Sequence, residues 1–258
     1  MSNRLALIAC IAAIGVGARG DDEEGLRAVP FVFVGEAGDC GPGYPPGSNI
    51  VTSAWLRGMG LPDKNDQQLN TTLLDTGSTK GAASRRDPHS GLILNKNGPT
   101  ADCSSAGATI RGAKGLRVGL GGAFVLGFDY RNGTHCGAGS PRFNVVARQG
   151  RNDATFHFIG GCANGTPTPA PQDPAEWSRV RFANSAATAF PPIPPGSNIE
   201  SIDLIVDEGT DAPSVEDPRG VGLSVVDNIF VNGQFIRSGH GIAEPHGEGD
   251  RDDRDDRD

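Results

Sequence analysis

The sequence predicts an all-β protein, an antiparallel β-sandwich with long Gly/Pro-rich loops and few or no helices. Three observations carry this expectation. The 258 residues include 38 Gly and 19 Pro, well above the roughly 12% these two residues contribute to an average globular protein. Both interrupt helices, so coiled coils, helical bundles and helical solenoids are excluded. Short apolar segments, many of them alternating, recur between turn residues, and no stretch of about 12 residues keeps a 3.6-residue period. Hydrophobic residues make up 36% of the chain, enough for a core of ordinary size.

The ends read differently from the middle. Met1-Ser2-Asn3-Arg4 precedes an apolar run from Leu5 to Val16, and Val16-Gly17-Ala18 offers a small-residue cleavage site. This predicts a secretory signal peptide over residues 1–18, since the run is shorter than the roughly 20 residues that span a bilayer. Leu7-Ile8-Ala9-Cys10 also resembles a lipoprotein cleavage box, but cleavage there would strand an apolar run behind it. Residues 19–237 read as one sandwich domain and 238–258 as a charged, disordered tail. Glu248–Asp258 holds seven acids, three Arg and no apolar residue, and supplies half of the formal net charge of −8. The remainder is mildly acidic, which argues against nucleic acid as a partner. No segment after the leader approaches transmembrane length, so a soluble product, secreted or periplasmic, is expected.

The strands follow in chain order. Val29–Val34, Ile50–Leu56, Gly91–Leu94, Ala108–Ile110, Leu116–Val118 and Ala123–Phe128 are each bounded by turn residues. Arg142–Ala147 and Ala154–Ile159 alternate on either side of a polar turn near Gly150, which predicts a hairpin. Trp177–Phe182, Ile199–Val206 and Val221–Val231 complete the set, and Asn232-Gly233 between apolar runs predicts a type I′ turn. Asn65–Lys80 reads as an inserted loop, and Thr166–Pro174 and Pro191–Gly196 as Pro-rich crossovers. Pro45-Pro-Gly-Ser-Asn-Ile50 recurs as Pro194-Pro-Gly-Ser-Asn-Ile199, each copy before a strand, so one turn solution used twice is expected. Trp55 and Trp177 lie within strand patterns and are assigned to the core.

Setting aside Cys10 in the leader leaves Cys40, Cys103, Cys136 and Cys162. An even number in a secreted chain predicts two disulfides, for which three pairings exist. The hairpin centred near Gly150 brings Cys136 and Cys162 to its open end from opposite sides. Cys136–Cys162 is therefore expected, with Cys40–Cys103 by elimination.

Three clusters could carry chemistry. Asp129, Tyr130, Arg131, His135, Arg142 and Asn144 fall in and beside a Gly-rich loop that Cys136 would staple. Carboxylate, guanidinium, amide and one aromatic suit sugar hydroxyls and the apolar face of a sugar ring, so these six are the candidate ligand site. The bland alternative is an ion pair of Asp129 with Arg131 or Arg142 that locks the loop. Leu73-Leu74-Asp75-Thr76-Gly77-Ser78 resembles the catalytic loop of aspartic proteases, in which two carboxylates share a proton. Leu204-Ile-Val-Asp207 would supply the second acid, but Glu208 stands where that family has a small hydroxyl residue. The acidic run from Asp203 contains Asp207, Asp211 and Asp217, candidate oxygen ligands for a structural Ca²⁺, although no EF-hand spacing is present. No cofactor is otherwise implied. Asn70, Asn132 and Asn164 fit the glycosylation sequon.

Val225-Val-Asp-Asn-Ile-Phe-Val-Asn-Gly233 resembles the closing strand of secreted jelly-roll modules, including carbohydrate-binding and galactose-binding-like domains. Lys96–Cys103 and Gly133–Asn144 are similar to secreted bacterial proteins of unassigned function. The resemblance implies a jelly-roll-like sandwich whose ligand sits on a sheet face or at one rim. The expected function is a secreted, non-catalytic module for carbohydrate or another extracellular polymer. A secreted hydrolase, either protease-like through Asp75 and Asp207 or polysaccharide-active, is the alternative. A structural envelope or matrix protein is a third.

Overall fold

A computed structural model describes residues 25–61 and 89–245. The expected leader (residues 1–18), the stretch Asn65–Lys80 with Asp75, expected as an inserted loop, and residues 246–258 lie outside the described residues. Within them the chain is all-β, an antiparallel sandwich of two sheets. The first sheet has the order β1 (Arg27–Val34), β4 (Ser104–Arg111), β11 (Asn198–Val206), β6 (Arg142–Arg148), β7 (Thr155–Gly160), β10 (Ala189–Phe190). The second runs β14 (Ile242–Ala243), β2 (Val51–Leu56), β3 (Gly91–Lys96), β12 (Leu223–Val231), β5 (Val125–Arg131), β9 (Trp177–Ala183), β8 (Thr168–Pro169), with β13 (Gln234–Ile236) paired to β12. Among the described residues the one helical element is a 3₁₀ turn at Cys162–Asn164. No described helix is long and apolar enough to cross a membrane.

Period-2 alternation builds the core between the sheets. Pro30, Ala108, Leu204, Phe143, Ile159 and Ala189 are register partners in one row across six strands, and all but Pro30 are buried. Facing them, Phe128 of β5 lies 6.0 Å from Phe143, ring centre to ring centre, so an aromatic contact joins the two layers, and 5.9 Å from Phe182 on β9 of its own sheet. Trp55 is buried in this core and its indole N–H donates to Ala28 O at 2.9 Å. Trp177 belongs to a second, smaller cluster with Leu61, Ala170 and Val225.

Both predicted hairpins form. Arg142 pairs with Gly160 and Ala147 with Thr155 around a turn containing Gly150 at φ 62°. Asn232 and Gly233 adopt φ 45° and 97°, as a type I′ turn requires, and Ile229 pairs with Ile236. Both expected disulfides are present, Cys40–Cys103 and Cys136–Cys162, with Cα separations of 5.6 and 5.2 Å. Two disulfides point to an oxidising environment.

Three expectations need correction. Leu116–Val118 is not a strand: backbone bonds tie Gly115, Leu116 and Val118 to Ser197 and Ile199, but only Arg117 forms an isolated bridge, to Asn198. Flanking turns at Gly115 and Gly119–Gly122 cut the segment too short to pair further. The two Pro-Pro-Gly-Ser-Asn-Ile copies are not one turn. Gly196 has φ 76° and Ser197 Oγ bonds to Pro194 O, a closed local turn. Gly47 is instead pressed on the Cys103 backbone, and the Ser48 hydroxyl reaches Asp102. Finally, the fold continues past residue 237, because β14 pairs with Ala54 and Ser53 of β2.

Candidate functional site

The six expected site residues separate once the strands are paired. Asp129 and Tyr130 are neighbours on β5 and therefore point to opposite faces of the sheet. Tyr130 is buried, so it is not a stacking platform. It lines a cavity of about 470 Å³ beside the Cys136–Cys162 cystine and the Pro213–Glu216 loop. Burial, together with the charge of Glu216, pushes its phenol up. Asp129 is also fully buried, and its partner is neither Arg131 nor Arg142. The cross-strand register of β5 and β9 sets Arg179 opposite it, with Arg179 Nε and Nη2 at 2.8 and 2.9 Å from its two oxygens. Arg181 Nη1 lies 3.4 Å away, and Asn228 Nδ2 donates to Asp129 Oδ2 at 2.8 Å. Asn228 reaches it from a register shift in β12, with φ 45°. Arg131 sits on the surface and pairs with Glu176 at 3.4 Å.

His135 is completely buried between two acids. Its Nε2 lies 2.9 Å from Glu208 Oε2 and its Nδ1 3.6 Å from Asp217 Oδ2. Glu208 also accepts the backbone N–H groups of Gly139 and Ser140 at 2.9 and 3.1 Å. This seat needs glycine at 137, where a Cβ would stand 2.2 Å from Glu208 Oε2. Burial works to raise the Glu208 carboxyl. The bonds from His135, Gly139 and Ser140 outweigh it and hold the group below the usual range. Such a carboxyl contributes stability above its unfolded pKa, and the contribution is lost as pH falls through the lower folded value. The expected result is a thermal-midpoint gap between the parent and Glu208→Gln that is widest above about pH 5 and shrinks as pH falls below the ordinary carboxylate range. A gap independent of pH over that range would show that the carboxylate charge plays no part.

Arg142 and Asn144 do stay together, on the outer face of the six-stranded sheet. The Arg142 guanidinium grips both Asp207 oxygens at 2.6 Å, donates to Gly139 O at 2.9 Å and to Asn144 Oδ1 at 3.1 Å, and lies 5.1 Å from the Phe158 ring centre. Asp207 is thus committed to Arg142. Asp75 lies outside the described residues, and no second acid of a protease dyad is seen beside Asp207 among them. The candidate Ca²⁺ ligands do not converge either. Asp207 faces Arg142, Asp211 accepts the Thr100 N–H and hydroxyl, and Asp217 accepts the Val221 N–H. No group of three or more His, Cys, Asp or Glu placed to hold a metal occurs among the described residues. The Asn132 and Asn164 amides are both used internally, donating to Ala175 O and Gly160 O.

The feature that sequence reading missed is the orientation of β7. Its Phe156 and Phe158 face outward, 46% and 43% exposed, while His157 faces inward and is 1% exposed. The hairpin register opposite Phe143 and Val145 sends Ile159 and His157 into the core. His157 is satisfied there by Pro191 O at 2.8 Å and the Thr155 hydroxyl at 2.7 Å. The signal was present, because two Phe flanking a His in a period-2 strand must share a face. Only the partner strand decides which face.

The outward row now reads Val29, Thr109, Asp203, Asn144, Phe158, Phe190, each the register partner of the next. None of the six is buried, and Thr109 Oγ1 donates to Asp203 Oδ1 at 2.7 Å. Aromatic rings therefore stand at one end of a track of preorganised polar groups. No protein-family model and no curated protein sequence matches the chain.

Proposed function

We propose that the chain is an extracellular, non-catalytic module that binds carbohydrate or a related surface polymer on the outer face of its six-stranded sheet. The carrying observation is the inside-out strand β7, which buries a histidine and exposes two phenylalanines next to Phe190. Exposed aromatic surface of this kind is a liability unless it is used. Rings of Phe156, Phe158 and Phe190 offer apolar faces for the C–H face of a sugar. Asp203, Asn144 and the Arg142–Asp207 pair offer donors and acceptors for hydroxyls, and their mutual contacts hold them in place before a ligand arrives. The N-terminal leader and the two disulfides support export.

The commitment of Asp207 to Arg142 favours binding over the hydrolase alternative. The exposed Phe group would also suit contact between copies in a structural protein. A glycan array probed with the parent and with Phe158→Ala and Phe190→Ala variants separates these readings. Each variant should bind the preferred glycan roughly tenfold more weakly, the scale of a central interface residue. An array on which the parent binds nothing, alongside concentration-dependent self-association abolished by the same variants, would replace the proposal with the structural reading.

A further inference from the structure

We infer that the polymer bound on this face is a single chain, held along its length across the strands between two aromatic ends, the second of which is built by Phe31 and Phe33 of β1. The inference rests on the reading of the sheet face as a glycan site. Val29, Phe31 and Phe33 alternate along β1 with the inward Ala28, Pro30 and Val32, so all three belong to the outer face. Val29 and Phe33 are 40% and 42% exposed, much like Phe156 and Phe158 on the far side of the sheet. Phe31 lies over its register partner Gly107, where a Cβ would stand 2.5 Å from the ring Cζ. Covering that glycine accounts for Phe31 through stability alone. It does not account for Phe33, a second ring left open to water on the same face.

Between the two ends the face carries two parallel lines. Phe31, Gly107, Ile205 and Arg142 are successive register partners, and the Arg142 guanidinium lies against the Phe158 ring, so a line of apolar and planar surface runs from β1 to β7. Two residues along each strand, about 7 Å away, Thr109, Asp203 and Asn144 form a polar line beside it. A sugar chain has the same division, with C–H faces and hydroxyl edges. β1 and β7 stand four steps apart in the sheet, roughly 19 Å at about 4.8 Å per step. A single sugar cannot reach both aromatic ends. Sheet twist of about 20–25° per step also turns the β1 end by roughly 80–100° relative to β7. A flat crystalline surface therefore meets one end or the other, whereas a separate chain that turns as it crosses the strands meets both.

The test uses the full chain and oligosaccharides of cellulose, xylan, chitin and β-1,3-glucan, from disaccharides to hexasaccharides, with amorphous and crystalline cellulose and chitin as matched solids. In the series that binds, affinity should rise roughly tenfold or more from disaccharide to hexasaccharide, and the amorphous solid should retain more protein than the crystalline one. Phe33→Ala should weaken hexasaccharide binding roughly tenfold, the scale of a central contact, and leave the disaccharide unchanged. Phe158→Ala should weaken both. Phe31→Ala should follow Phe33→Ala, and because it also uncovers Gly107 its thermal midpoint is measured alongside. Affinity independent of length, stronger retention on the crystalline solid, or hexasaccharide binding that ignores Phe33→Ala would overturn the inference, while a weakened Phe158 variant left the face reading standing. Binding that ignores Phe158→Ala, or no binding in any series, would overturn the face reading and the inference with it. Self-association lost in both Phe33→Ala and Phe158→Ala, without glycan binding, would make this face a contact between copies instead.

Discussion

Asp129→Ala should cost the protein about 3–5 kcal/mol of stability, the range for removing one partner of a buried ion pair. Asp129 has no exposed surface, and its two oxygens meet Arg179, Arg181 and Asn228. Truncation leaves guanidinium charge inside the sheet face without its carboxylate, and Arg179 is itself only 7% exposed. With a urea slope of about 1–3 kcal/mol/M, the midpoint should fall by at least about 1 M. Asp129→Asn should fall between the two, since it keeps hydrogen bonds and loses charge. A shift below about 1 kcal/mol would mean that water reaches the arginines and that the pair is not sealed.

Reduction of both disulfides should unfold the domain at room temperature. Loop-closure entropy assigns about 3.5 kcal/mol to Cys136–Cys162, which closes 26 residues, and about 4.3 kcal/mol to Cys40–Cys103, which closes 63. Their combined effect rivals the 5–15 kcal/mol stability of an ordinary domain. The two act at different places. Cys136–Cys162 locks the open end of the β6–β7 hairpin, next to His135 and the Glu208 seat. Cys40–Cys103 ties the loop after β1 to the start of β4, where Lys96 Nζ is buried against Asp102 Oδ1 at 2.9 Å. Urea titrations with and without dithiothreitol, with free thiols counted, check this. An unchanged midpoint after full reduction would sink it, and would also weaken the link between the disulfides and an oxidising environment.

Much of the fold was legible because its signals are local. The Asn232-Gly233 turn, the polar turn around Gly150 and the alternation on either side each lie within a dozen or so residues. The hairpin in turn decided the cysteine pairing. The site was less legible because its partners are distant in sequence. Asp129 finds Arg179 across β5 and β9, 50 residues away, rather than Arg131 beside it. Tyr130 is buried by the same pleat that points Asp129 the other way. Arg142 and Asn144, two residues apart on one strand, were correctly grouped, since period-2 geometry alone puts them on one face. The outward set of Phe156, Phe158 and Phe190 depended on which sheet β7 joins and in which register. That information is tertiary, and one residue of slip would have reversed every side chain.

The proposed binding surface is the outer face of the six-stranded sheet. Hydroxyl-radical footprinting of the full chain, free and saturated with the glycan it retains most strongly, tests this at the side chains themselves. Phe156, Phe158 and Phe190 are exposed in the free protein and should be protected on binding. Tyr44 and Leu120, exposed but outside the binding row, should be modified equally in both states. Unprotected phenylalanines in a saturated complex, with protection appearing instead around the Pro213–Glu216 loop, would move the binding surface off this sheet.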